Sequence, residues 1–99
     1  MKITISYKHL DSTEGLDEIT TRKSEKLKKY FDGKTHLKWN FTVEKQTHVA
    51  HCHLLNDHTE LFAEATTDSI YSGIDEVVTK LERQIRKKKE IVKNHKHVA

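Results

Sequence analysis

Ninety-nine residues suffice for one domain and are too few for two. Apolar residues are 34% of the chain and charged residues 33%, with three Gly and no Pro. The apolar residues recur periodically, which argues against a disordered chain. No run of about 18 apolar residues exists to span a membrane. The N-terminal Met-Lys-Ile-Thr-Ile-Ser lacks the apolar core of a secretory signal. The single cysteine, Cys52, excludes an internal disulfide framework. A soluble, cytoplasmic protein is the expectation.

Residues 2–7 alternate Ile3, Ile5 and Tyr7 with polar side chains, the pattern of a strand with one buried face. Any of Asp11, Ser12 or Thr13 could cap the helix that follows, and Thr13 is the expected cap. Glu14, Asp17 and Glu18 open this helix and Lys26, Lys28 and Lys29 close it, both as the helix dipole favours. Its apolar face is Leu16, Ile19, Leu27, Tyr30 and Phe31, weakened in the middle by Thr20 and Ser24. Asp32-Gly33 ends it, with Gly33 free to adopt a left-handed conformation.

Residues 37–43 read as a second strand, with Leu37, Trp39, Phe41 and Val43 on one face. Residues 48–55 form a third, with Ala50, Cys52 and Leu54 on one side and Val49 and Leu55 on the other. Asn56-Asp57-His58 is a turn, and 60–66 a fourth strand with Ala63 and Ala65 on one side. Asp68 is the expected cap of a long second helix over about 69–93, roughly 37 Å at 1.5 Å per residue. Ile70, Ile74, Val77, Val78, Leu81 and Ile85 are its apolar stripe. Residues 94–99 are read as a short basic disordered tail on a domain spanning 1–93. The order β-α-β-β-β-α predicts an α+β two-layer sandwich, a four-stranded sheet with two helices on one face. The last three strands should form an antiparallel meander.

The formal net charge of +3 is unevenly spread. Residues 80–99 carry eight basic and two acidic residues, whereas 1–79 carry ten basic and thirteen acidic. A basic end on a mildly acidic body points to a polyanion, nucleic acid first and an anionic membrane surface second. On the first helix Arg22, Lys26 and Lys29 fall within about 60° of one another, with Lys23 at the core edge. On the second helix Arg83 and Arg86 lie opposite the stripe, with Lys80 and Lys87 further round. Because both helices cover one sheet face, the two sets are expected to merge into one groove-like phosphate-binding patch.

Catalytic signatures are absent. Gly15, Gly33 and Gly73 stand alone, so no glycine loop cradles a phosphate, and there is no His-Glu-x-x-His or nucleophile elbow. Asp75 and Glu76 point about 100° apart on a helix and form no dyad. His48, His51, His53 and His58 surround Cys52. His51 and His53 share a strand face, a possible start for a zinc site, but Cys52 points the other way and no four-ligand set is visible. No metal or cofactor is expected, no enzyme activity is assigned, and Cys52 reads as a small buried residue.

Several segments resemble the short ribosome hibernation promoting factor family, also called ribosome-associated inhibitor Y or sigma-54 modulation proteins. They are Glu25-Lys26-Leu27 with Tyr30-Phe31-Asp32, Val43-Glu44-Lys45, His48-Val49-Ala50, and Asp68-Ser-Ile-Tyr71-Ser-Gly-Ile74-Asp75 leading to Lys80-Leu81-Glu-Arg83-Gln84-Ile85. The resemblance covers about residues 1–92. It implies the β-α-β-β-β-α fold, similar to double-stranded-RNA-binding domains. It also implies a ribosome hibernation factor that binds small-subunit rRNA in the cleft between head and body. There it would exclude messenger RNA and transfer RNA in stationary phase or stress. Family contacts carry over to Lys23, Lys26, Lys29 and Arg83, and to Lys80, Arg86 and Lys87. Arg22 is added from its place in the cluster. Thr20 and Ser24 stand where the family has larger apolar residues, Gly15 and Gly73 stand for alanines, and the His51-Cys52-His53 strand is unusual. The end at Ala99 favours the branch that pairs ribosomes with a separate ribosome modulation factor, the chain itself being a monomer off the ribosome. Three other readings remain: a general structured-RNA-binding protein, a zinc-dependent or metal-storage protein using the histidine strand, and a basic helix docked on membrane. Against the last, the apolar stripe is needed for the sheet.

Overall fold

The structure, a computed structural model, describes residues 1–31, 33–57 and 59–98, with side chains as far as Lys88. Its elements are β1 (Lys2–Lys8), α1 (Glu14–Ser24), a 3-10 segment (Glu25–Tyr30), β2 (Thr35–Glu44), β3 (Thr47–Asn56), β4 (Thr59–Thr67) and α2 (Ile70–Val98). The sheet order is β1-β2-β3-β4. β2, β3 and β4 form the expected antiparallel meander, and β1 lies parallel to β2 because α1 carries the chain back across the sheet.

Strand alternation decides which side chains enter the core. Leu37, Trp39 and Phe41 of β2, Ala50, Cys52 and Leu54 of β3, and Ala63 and Ala65 of β4 are all buried on the helix side. The α2 stripe, Ile70, Ile74, Val77, Val78, Leu81 and Ile85, closes over them. Arg86, Lys87 and Lys88 are exposed, so among the side chains described Ile85 is the last of the stripe. The helix itself continues to Val98, beyond the expected end near 93 and through residues read as a disordered tail. Residues 86–98 contain neither Gly nor Pro, so no stop signal interrupts them.

Three local readings change. The first helix is α-helical only to Ser24 and then tightens into the 3-10 segment, leaving Phe31 extended (φ −130°, ψ 133°) rather than helical. Thr20 and Ser24 each donate to the carbonyl four residues back, at 2.8 and 2.6 Å, the kind of bond that bends helices. In a 3-10 turn residues i and i+3 eclipse, so Leu27 and Tyr30 face inward together. The cap of the second helix also shifts. Ser69, not Asp68, precedes the first helical residue, its carbonyl accepts from Gly73 N–H at 3.0 Å, and the Thr67 hydroxyl donates to that same carbonyl. Asn56 is the last residue of β3, pairing with Thr59, and its side chain donates to Lys34 O and Thr35 Oγ1. His58, read as part of that turn, and Asp32, read as part of the first helix end, lie outside the described residues. Thr13 caps α1 as expected, accepting from Leu16 N–H at 3.1 Å, and Gly33 is left-handed at φ 84°.

The two helical glycines separate on packing grounds. A Cβ on Gly15 would meet nothing within 4 Å, whereas one on Gly73 would lie 3.2 Å from the Ala50 Cβ. Gly73 therefore lets α2 sit close on β3. Gly15→Ala should raise stability by roughly 0.4–1 kcal/mol through loss of unfolded-state entropy. Gly73→Ala should gain distinctly less, since Ala50 must give way. Thermal unfolding of both variants checks this, and equal gains would mean that α2 does not ride on Ala50.

Candidate nucleic-acid interface

α1 and α2 lie side by side on the sheet and are joined by polar contacts. Lys23 Nζ is 3.2 Å from Asp75 Oδ1. Tyr30 O–H donates to Glu82 Oε2 at 2.9 Å, and Arg86 Nε–H donates to the Tyr30 oxygen at 3.2 Å. Arg86 also approaches Glu82 Oε1 at 3.7 Å. These contacts hold the 3-10 segment against α2, so the cationic side chains of both helices are carried on one rigid layer. Their partly exposed ion pairs each add at most about 1 kcal/mol. Their role is therefore chiefly geometric.

The eight candidate phosphate contacts divide accordingly. Lys26 and Arg83 are exposed and make no hydrogen bond or ion pair among the described residues, and the same holds for Lys87. Lys29 is exposed with its ammonium 5.2 Å from the Tyr30 ring centroid. The 3-10 winding stacks Lys26 and Lys29 along one line instead of fanning them apart. Arg22 is exposed but lines a shallow depression with Glu14, Asp17, Glu18 and Glu25, which lowers the positive potential around it. Lys23 and Arg86 are occupied in the seam between the helices. Lys80 is turned to the opposite side of α2, where it donates to the main-chain carbonyl of Glu64 at 2.7 Å, with Glu76 at 3.9 Å. The expected merger into one continuous groove is thus modified. Lys26 and Lys29 stand on one side of a seam whose own charges are internally paired and Arg83 on the outer crest of α2, while Lys87, seven residues on from Lys80, lies round toward the β4 side. Asp75 and Glu82 were the missed participants. Their i+7 spacing along the side of α2 that faces α1 was the available signal.

The other chemistry-bearing groups are placed just as plainly. Cys52 is fully buried, and burial pushes its thiol up to about 12. A thiol reagent at pH 8 should therefore modify Cys52 only as fast as the protein unfolds; rapid modification of the native chain would contradict this burial. His48 shares the helix-side face of β3 with Cys52, whereas His51 and His53 project from the opposite face. Among the described residues no three His, Cys, Asp or Glu side chains gather as a metal-binding set. No helix among them is long and apolar enough to cross a membrane.

This architecture defines a class. It is similar to the Thermus thermophilus protein Y N-terminal domain, with a TM-score of 0.81 and 22% identity, over 88% of this chain and 98% of that one. A ribosomal subunit interface protein from Coxiella burnetii is alike at a TM-score of 0.80 and 22% identity, over 91% of this chain and 99% of that one. Residues 3–93 match the sigma 54 modulation protein / S30EA ribosomal protein family, and the chain belongs to that family. Among its relatives is the ribosome hibernation promoting factor of Escherichia coli K12, 35% identical over 95 residues, covering 96% of this chain and all of that protein. The protein of that name from Azotobacter vinelandii is 33% identical over 90 residues, covering 91% of this chain and 84% of its own length.

Proposed function

We propose that this protein is a non-enzymatic ribosome hibernation factor. It binds small-subunit rRNA where messenger RNA and the transfer-RNA anticodon stems pass, and so holds ribosomes inactive in stationary phase or stress. The family match over residues 3–93 carries this reading. The free cations of the helix layer supply its physical means: Lys and Arg on a rigid fold recognise folded RNA through its backbone and shape rather than its base sequence. Lys26, Lys29, Arg83 and Lys87 are the first phosphate contacts, with Arg22 at the margin. Lys23, Lys80 and Arg86 contribute only by exchanging internal partners for phosphate. The protein acts from the cytoplasm as a monomer off the ribosome, with a separate ribosome modulation factor as the partner in pairing inactive ribosomes.

Co-sedimentation with small subunits in sucrose gradients tests the reading, with a structured RNA of similar length as competitor. Retention on the subunit against excess competitor is expected. Loss to the competitor would favour a general structured-RNA-binding protein. Binding should also fall steeply with salt, because each neutralised phosphate releases counterions and steepens the log–log slope by roughly 0.7–0.9. Four phosphate contacts thus give a slope near −3, and a flat salt dependence would remove the phosphate-contact account.

A further inference from the structure

The helices leave the opposite face of the sheet uncovered, and its side chains are not those of a merely solvated surface. Phe62 of β4 projects from it with 52% of its surface exposed. Its cross-strand neighbour His53 stacks on it, ring centroids 4.2 Å apart and planes 12° from parallel. His51 lies on the same face, 6.2 Å from the Phe62 ring centroid and tilted by 40°. The row through this pair continues across the sheet as His53, Lys38 and Thr4. Lys2 and His36 form the next row.

We propose that this sheet face is a second nucleic-acid surface, on which an unpaired base of single-stranded RNA stacks on Phe62 beside His53 while Lys38 and Lys2 take the flanking phosphates. The chemistry favours RNA as the occupant. An open π-face accepts any base, and four-stranded sheets that present aromatic side chains bind single strands in this way. Adjacent strands are about 4.8 Å apart, which puts the Lys38 backbone two strands, roughly 10 Å, from that of Phe62. An extended lysine can cover most of that span.

The charge is complementary as well. Burial, and then the positive charges of Lys2, Lys38 and His53, hold the His36 imidazole below its ordinary value. Lys2 and Lys38 place two cations at this end of the face. The carboxylates described on the face lie away from Lys2 and Lys38: Glu60 is paired to His53 Nε2 at 2.9 Å, Glu64 stands across from His51, and Glu44 is at the far end of β2. A protein partner fits less well, since Phe62 is the one large apolar side chain strongly exposed on this face among the described residues. Stable protein interfaces bury about 800 Å² per side around an apolar centre.

The surface is separate from the helix layer, so its test is separate from that of the proposed function. Fluorescence anisotropy of a labelled ten-nucleotide oligouridine or oligoadenosine reads binding to the whole purified chain at low salt. Phe62→Ala should weaken it roughly 5- to 100-fold, the effect of losing one base stack, and Phe62→Trp should restore it. Lys38→Glu should also weaken it. Lys26→Glu with Arg83→Glu should weaken it distinctly less than Lys2→Glu with Lys38→Glu, a pair on the sheet face that changes the net charge equally. Phe62 lies outside the core, so circular dichroism and melting should be unchanged in the Ala variant. Parent-like affinity in folded Phe62→Ala, or a loss specific to the helix pair, would overturn the proposal. Self-association of the parent chain in sedimentation that disappears with Phe62→Ala would overturn it in favour of an interface with a second copy.

Discussion

Reversing Lys26 and Arg83 together should weaken small-subunit binding by at least about 100-fold. Each is exposed and unpaired among the described residues, and they stand on the two helices that the Tyr30–Glu82 and Lys23–Asp75 contacts hold side by side. A charge-assisted hydrogen bond to phosphate contributes roughly 1.5–3 kcal/mol. Two such losses reach that factor before the added repulsion of a carboxylate against phosphate. The salt slope should also become shallower by about 1.5, the share of two phosphates. Lys8→Glu with Lys45→Glu is the matched control. It makes the same change of four charges, and both residues are exposed at one end of the sheet, away from the helix layer. Long-range attraction falls equally in the two pairs, while screening over about 8–10 Å confines each pair's local effect to its own surface. Equal weakening of the two folded variants would leave a diffuse basic charge and withdraw the assignment of Lys26 and Arg83.

The largest effect on stability is expected at Trp39. Its ring is buried to 1% exposure and stacks on Phe41, centroids 5.5 Å apart, and its indole N–H donates to Ser24 Oγ at 2.9 Å. Trp39→Ala should cost about 3–5 kcal/mol, since it removes a large buried side chain and leaves a cavity between β2 and α1. That is a large part of the stability of a domain of this size. Ser24→Ala should cost about 1–3 kcal/mol, because it strands the indole donor in a dry core. Ser24→Ala with Trp39→Phe should be less destabilising than the sum of the single changes, because the second substitution removes the donor that the first one orphans. Urea unfolding of the four proteins measures this coupling. Strict additivity would mean that the Ser24–Trp39 bond does not hold α1 to the sheet.

Ser24 also marks how far the sequence could be read. Periodicity alone recovers all four strands, both helices, the meander and nearly every buried side chain, because a two-residue or 3.6-residue repeat of apolar side chains reports a face directly. By the same rule Thr20 and Ser24 looked like weak points of the first helix. In the folded chain both are fully buried and hydrogen-bonded, and Ser24 receives the Trp39 indole. A small hydroxyl residue leaves room for a large ring, but nothing in the linear chain says that residues 24 and 39 meet.

The interface divides in the same manner. The density of Lys and Arg on the two helices, and their exclusion from the apolar stripes, is a one-dimensional property, and it was enough to single out the eight cations. Which of them remain unpaired depends on neighbours far away in the chain. Asp75 lies across from Lys23, the Glu64 carbonyl beside Lys80, and Tyr30 and Glu82 beside Arg86. The 3-10 winding that aligns Lys26 with Lys29 likewise appears only once Leu27 and Tyr30 pack inward.

Local pattern and charge thus determined the element order, the core faces and the basic character of the helix layer, because each is written within a few turns of chain. Tertiary structure alone decided which cations stay free, why a serine belongs in the core, and that Phe62 and His53 meet on the open face of the sheet. Those facts depend on contacts between strands and helices, and hydrogen-bond and ring geometry fall off over a few ångströms in space regardless of distance along the sequence.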